Sequence, residues 1–142
     1  MATVDPIFAA VTAPGSPFEV GERDGLRQFT NTPPDFNMLI EAARAHGDKT
    51  FIVEGERRLS FEDVYQLRDA LVASLDIKPG EHVAICMRNR AERMIAFLAT
   101  IRSGGVAGLV ISRASAEELT AAITDVEARL LLADAERADP SR

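Results

Sequence analysis

The sequence holds few of the residues that build metal centres or cross-links: one cysteine, Cys86, and two histidines, His46 and His82, among 142 residues. A single cysteine excludes a disulfide framework within the chain, and the two histidines offer no metal-ligand spacing. Cys86 sits inside an apolar run and reads as a small buried hydrophobe, because a reactive thiol needs an electropositive, accessible setting. Long apolar runs are missing as well. Nothing approaches the roughly 18 residues that span a bilayer, and the N-terminus has neither the basic start nor the apolar core of a signal peptide. No membrane span is expected, and a cytoplasmic location follows by default. Positive charge is also short: 16 Lys and Arg stand against 22 Asp and Glu, a net charge of −6. A general nucleic-acid binder needs a basic excess to neutralise phosphates, so no nucleic-acid partner is expected.

What is present is the composition of a soluble globular chain with a real core, 46% hydrophobic and of balanced mean hydropathy. The most legible stretch is Lys78 to Ser112. From His82 to Met87, Val83, Ile85 and Met87 fall on one face of a strand and Ala84 and Cys86 on the other, the pattern of a strand buried between two layers. Asn89 followed by Glu92 predicts a capped helix starting near Arg90. Met94, Phe97, Leu98 and Ile101, widened by Ile95, predict its buried stripe. Gly104 and Gly105 stop the helix, and Val106 to Ile111 is a second apolar strand around Gly108. Two such strands joined by a helix predict a right-handed βαβ unit.

The remainder divides around this unit. Residues 1–32 read as an N-terminal arm, with a short helix over Pro6 to Thr12 and extended pieces at Phe18 to Val20 and Leu26 to Thr30 flanking a turn from Gly21 to Gly25; the arm is expected to lie over another part of the protein. Residues 33–134 read as one α/β subdomain. Asp35 caps a helix burying Phe36, Leu39, Ile40 and Ala43 and ending at Gly47. A hairpin follows, Thr50 to Val53 and Arg57 to Leu59 around Glu54-Gly55-Glu56. Ser60 and Asp63 start a helix that buries Phe61, Val64, Leu67, Leu71 and Leu75 beside Ala70 and Ala73. After Ile111, Ser115 and Glu118 start another with Leu119, Ile123 and Val126 on one face, and Ala128 to Ala133 is the last strand. Residues 135–142 read as a frayed tail. The fold class is therefore α/β: an arm, a helix, a β-hairpin, a helix, then a mostly parallel β-α-β-α-β layer.

These residues carry a resemblance. Thr50-Phe51-Ile52-Val53, the run from Gly55 through Arg57-Arg58-Leu59-Ser60 to Asp63, Lys78-Pro79-Gly80-Glu81-His82-Val83-Ala84-Ile85, Arg88-Asn89, Ala96-Phe97-Leu98-Ala99 and Gly104-Gly105 together resemble the N-terminal portion of the adenylate-forming superfamily, most of all its acyl-CoA synthetases, or fatty-acid CoA ligases. The stretch from Ala13 to Glu19 and the Pro33-Pro34 step resemble the arm of one bacterial branch of these ligases. The resemblance covers roughly Ala13 to Asp134. It implies a parent enzyme that uses ATP and Mg²⁺ to convert a fatty or other carboxylic acid to an acyl-adenylate, then passes the acyl group to coenzyme A. It also implies a Ser/Thr/Gly-rich phosphate loop ending in lysine, adenine-binding and acidic motifs and a catalytic lysine, none of which occurs in these residues. No catalytic residue and no metal ligand is therefore assigned, cofactor-binding residues are left open, and the chain by itself is expected to be inactive, to hold no cofactor of its own and to self-associate through exposed apolar surface.

Other candidates reduce to structural roles. Arg88, Arg90 and Arg93 cluster at a helix start, where positive charge and free N–H groups attract a phosphate or the coenzyme, but a solvated face with Glu81 and Glu92 nearby explains them. His46 reads as a favourable charge at a helix C-terminus, His82 as structural or solvent-facing, and Tyr65 as packing. Glu62, Asp63 and Asp69 do not converge as paired carboxylates. Two further readings stand beside the ligase: a noncatalytic binding or assembly module of this fold, and a doubly wound nucleotide-binding domain, for which no G-x-G-x-x-G turn follows any strand.

Overall fold

The computed structural model describes residues 5–31 and 33–135. The chain separates into two compact units, one running to Leu39 and the other from Ile40 onward. The expected tail lies outside the described residues except for Ala135.

In the first unit, α1 (Pro6–Val11) starts at Asp5, whose carboxylate accepts the Ile7 N–H at 2.7 Å. It is followed by an antiparallel hairpin of β1 (Val20–Arg23) and β2 (Leu26–Phe29). The turn is narrower than expected. Only Asp24 and Gly25 lie outside the ladder, both at positive φ, 53° and 76°. That is the two-residue loop whose twist matches paired strands, so Gly21 to Arg23 are drawn into the sheet. Phe18 and Phe29 meet edge to face at 6.4 Å. Asp35 caps the next helix, α2 (Phe36–Ala42), by accepting the Met38 N–H at 2.8 Å. Its expected buried face is covered in part: Phe36 is 49% exposed and Leu39 46%, whereas Ile40 and Ala43 are half-buried and Ile40 packs against Val64, Ile95 and Leu98.

In the second unit, α2 gives way to a 3₁₀ turn (Ala43–His46) that ends at Gly47. The hairpin β3 (Thr50–Glu54) and β4 (Arg57–Ser60) is antiparallel, with an irregularity between Thr50 and Ile52. Ser60 then caps α3 (Phe61–Ser74) through a reciprocal box with Asp63, satisfying two backbone donors that the first helical turn leaves open. The sheet has the order β6-β5-β7, all parallel, from β5 (His82–Cys86), β6 (Val106–Leu109) and β7 (Leu130–Ala133). Two helices connect these strands, α4 (Ala91–Arg102) and α5 (Ala116–Asp125), the latter opening on the expected Ser115–Glu118 box.

The expectation that β5 is apolar on both faces holds. Val83 and Ile85 pack with Ile77 and Ala96, joined by Leu71, Leu75 and Phe97. Ala84 and Cys86 pack with Val110, Leu119, Ala122 and Ile123 on the other side. Each fully covered Val or Ile contributes about 1.5–3 kcal/mol of transfer free energy, so β5 is the sheet's anchor. Gly104 takes φ +79° and ends α4. Gly105 answers a different need: a Cβ there would lie 2.9 Å from Ile77 Cγ2 and 3.1 Å from Thr100 Cγ2.

Two helical faces differ from expectation. On α3 the buried side chains are Val64, Tyr65 and Arg68, whereas Leu67, Ala70 and Ala73 are exposed. On α4 they are Ala91, Ile95, Ala96, Leu98, Ala99 and Thr100, whereas Met94 is exposed and Ile101 half-buried. In both cases the apolar stripe is wider than the surface that packs against it, so only part of each predicted face is covered.

Candidate functional site

The β3–β4 turn delivers Glu54 to the first turn of α4. Glu54 Oε2 accepts the Ala91 N–H at 3.1 Å, and Oε1 accepts from Arg90 Nε at 2.8 Å. The helix is therefore not capped by Asn89. Its N-cap is Arg90, whose own side chain makes no cap bond, and a carboxylate from another element serves the open donor instead. The Ala91 hydrogen bond first, then Arg90, holds the Glu54 carboxyl below its ordinary value. Arg57 on β4 donates to Glu92 at 2.6 Å and depresses that carboxyl likewise.

The arginine cluster accordingly splits by role. Arg88 pairs with Asp134 at 3.3 Å and Arg90 with Glu54, so two of the three charges are matched. Glu81, read from sequence as a neighbour of this cluster, instead pairs with Arg129 at 2.8 Å. Arg93 differs. Its guanidinium donates to the Met87 carbonyl at 3.1 Å and to Asn89 Oδ1 at 3.3 Å, both neutral, and no carboxylate lies within salt-bridge reach of it among the described residues. Beside it runs an open groove of about 530 Å³, walled by Ile52 and Val53 of β3, Met94 and Phe97 of α4, and Leu109 of β6.

A second polar cluster surrounds a buried arginine. Arg68 is 1% exposed, held by Glu41 at 2.5 Å and by Asp69 through Nε at 2.9 Å and a terminal nitrogen at 2.7 Å. Burial opposes its charge, but the hydrogen bonds to Asp69 and Glu41 outweigh that and raise its pKa. Its guanidinium lies 4.4 Å from the centre of the Tyr65 ring, with Arg44 at 5.3 Å from the same ring. The Tyr65 hydroxyl donates to the Ile40 carbonyl. Tyr65 is thus packing, as expected, but fully covered. The sequence reading passed over Arg68. The available signal was its place four residues after Val64 and three after Tyr65, on the same helical face.

The other expected residues keep structural roles. His46 stands against the Phe61 ring at 4.8 Å, and His82 Nδ1 meets the Val126 carbonyl. Cys86 is fully buried. Asp63 is held in its cap and Asp69 by Arg68 and Arg44, so the three carboxylates of α3 do not converge. Among the described residues no three His, Cys, Asp or Glu side chains are grouped to hold a metal ion.

This geometry is that of a scaffold, and comparison with known proteins places it. The family model described as "AMP-binding enzyme" matches residues 39–142. The chain belongs to the AMP-binding enzyme family. Among curated relatives of this family member, the medium/long-chain-fatty-acid CoA ligase of Mycobacterium tuberculosis is 27% identical over 120 residues, covering 82% of this chain and 20% of the relative. Enterobactin synthase component E of Escherichia coli is 35% identical over 102 residues, covering 70% and 19%. The oxalate CoA ligase of Arabidopsis thaliana is 36% identical over 110 residues, covering 74% and 21%. The chain spans about a fifth of the length of these relatives. Among solved structures, the N-terminal subdomain of Klebsiella oxytoca NpsA superposes with a TM-score of 0.67 at 21% identity, covering 72% of this chain and 28% of that one. The fold is that of the N-terminal subdomain of adenylate-forming enzymes.

Proposed function

We propose that this chain is the scaffold-forming first part of an ATP-dependent acyl-CoA synthetase that acts in the cytoplasm. The observation that carries the reading is the family match over residues 39–142, and CoA ligases for fatty acids and for oxalate among the relatives support it. In the reaction, a carboxylate oxygen attacks the α-phosphorus of ATP and pyrophosphate leaves. The sulfur of coenzyme A then attacks the acyl carbonyl, AMP leaves, and the thiol proton passes to solvent. ATP, Mg²⁺ and coenzyme A belong to that parent reaction. The residues described do not fit a magnesium–nucleotide site: Arg88 and Arg90 are matched by carboxylates, and the acidic side chains of α3 are spent on a cap and on Arg68. No chemical step is assigned to them.

Pyrophosphate exchange driven by carboxylic acids tests the reading, run on the 142-residue chain and on the polypeptide read from the coding frame through and beyond Arg142. We expect exchange from the longer polypeptide, a CoA thioester when coenzyme A is added, and none from the 142 residues. A frame that stops at Arg142, or a longer product that binds no nucleotide, favours the noncatalytic assembly module instead. Exchange by the 142-residue chain alone overturns the scaffold assignment.

A further inference from the structure

We infer that two copies of this chain pair through the outer edge of β6, antiparallel and about a two-fold axis at Gly108, so that their sheets join into one. The backbone carries the first part of this. Val106 and Val110 donate their N–H groups to the carbonyls of Glu81 and Ile85, and Val106 to Leu109 keep an unbroken parallel register with β5. Alternation along the strand then turns the N–H and C=O groups of Ala107 and Leu109 away from β5. No strand meets them there among the described residues. Placing Gly108 opposite Gly108 of the second copy sets Ala107 opposite Leu109 and Leu109 opposite Ala107, each pair exchanging both its N–H···O bonds. The edge is thus its own complement, as an isologous contact requires.

Charge and exposure single out β6 over β7. Charged side chains, proline and bulges are what keep a sheet edge from pairing. Residues 103–112 hold no charged residue and no proline, and the ladder of β6 with β5 has no bulge. Leu109 and Ile111 are 54% and 68% exposed. β7 is different: Arg129 and Asp134 bracket it, held by Glu81 and Arg88, and ions at both ends blunt that edge. Two copies each carrying a net charge of −6 repel one another, so an uncharged edge is where they close. The two-fold lays each Leu109 beside Ala107 of the other copy, an apolar cross-strand pair withdrawn from water. The contact is one strand of four residues, so the dimer dissociates on dilution.

Cross-linking tests the axis. Opposed residues outside the hydrogen-bonded pairs lie about 4.5 Å apart at Cα, within reach of a disulfide. A Cβ at Gly108 makes only ordinary contacts, 3.6 Å to Val126 Cγ2 and 3.7 Å to the Val83 carbonyl oxygen. Gly108→Cys in the 142-residue chain, equilibrated with oxidised glutathione, should therefore give a covalent dimer. The unsubstituted chain should give none, since Cys86 is buried, and neither should Ala107→Cys, which lies two residues out of register with its own copy. Ala107→Pro removes an outward N–H that the β5 ladder does not use and should abolish the rise of mass with concentration in light scattering. Leu109→Lys should do the same and stands in if the proline variant fails to fold, whereas Leu131→Lys on β7 should leave the rise unchanged. No covalent dimer from Gly108→Cys, equal cross-linking by Ala107→Cys, or loss of the rise in Leu131→Lys each overturn the pairing. So does a mass that stays monomeric, which leaves the edge to a strand of another protein. None of these results bears on pyrophosphate exchange by the longer polypeptide, so this inference and the ligase reading fail independently.

Discussion

At the scale of single residues, the second unit depends on an arginine that apolar patterning overlooks. Arg68 is buried, but Glu41 and Asp69 keep about a third or more of their side chains in water. Removing the guanidinium therefore leaves two carboxylates that can rehydrate. Arg68→Ala should cost about 2–3 kcal/mol in urea denaturation, below the 3–5 typical when the stranded charge is fully buried. Part of that loss comes from the unsupported Tyr65 ring. Arg68→Met, which retains the stem, should recover some of it. Gly105 makes the opposite argument. Its backbone is not in the left-handed region, but the space for a Cβ is already filled by Ile77 and Thr100 and by the Glu81 carbonyl at 3.2 Å. Gly105→Ala should destabilise by about 1–3 kcal/mol through overpacking, read as a lower midpoint at unchanged slope.

At the scale of elements, each helix start has its own solution. Ser60 and Ser115 close capping boxes with residues three positions on, so Ser60→Ala should cost about 1 kcal/mol in denaturant unfolding. For α4 the cap is tertiary. Glu54 reaches from the hairpin, and Glu54→Gln should loosen the Ala91 amide in hydrogen exchange while leaving the Ser60 box protected. The same carboxylates set the response to acid. Glu54, Asp63, Glu81 and Glu92 all have pKa values below their ordinary ones, through hydrogen bonds from the Ala91, Ser60 and Lys78 backbones and from Arg57 respectively. A carboxyl depressed in the folded state adds stability above its unfolded pKa and loses it as pH falls through the folded one. The thermal midpoint should therefore be flat near neutrality and fall once pH drops below about 4. In Glu54→Gln that fall should be shallower; an unchanged acid slope would count against the tertiary cap.

At the scale of the molecule, the sheet presents open edges at β6 and β7 among the described residues, and Val106, Leu109 and Ile111 are exposed. Such edges pair with other strands. We propose that the 142-residue chain self-associates, seen as a mass that rises with concentration in light scattering; a monomer throughout the accessible range would refute this. Much of the architecture was legible in advance because it depends on local rules: the alternation of β5, the boxes at Ser60 and Ser115, the Gly104 stop and the order of elements all follow from a few neighbouring residues. What stayed hidden were the choices between near-equal options. The sequence by itself determined the starts of α3 and α5 and that β5 would be enclosed on both sides, since side-chain period and cap chemistry act over one or two turns. Only the tertiary structure decided which edge of each apolar stripe is covered, that Glu54 displaces Asn89 as the cap of α4, that Arg68 goes inside, and that Arg93, among the described residues, meets no carboxylate. Those outcomes are set by contacts between residues 27 to 46 positions apart, and no local pattern encodes which distant charge arrives first.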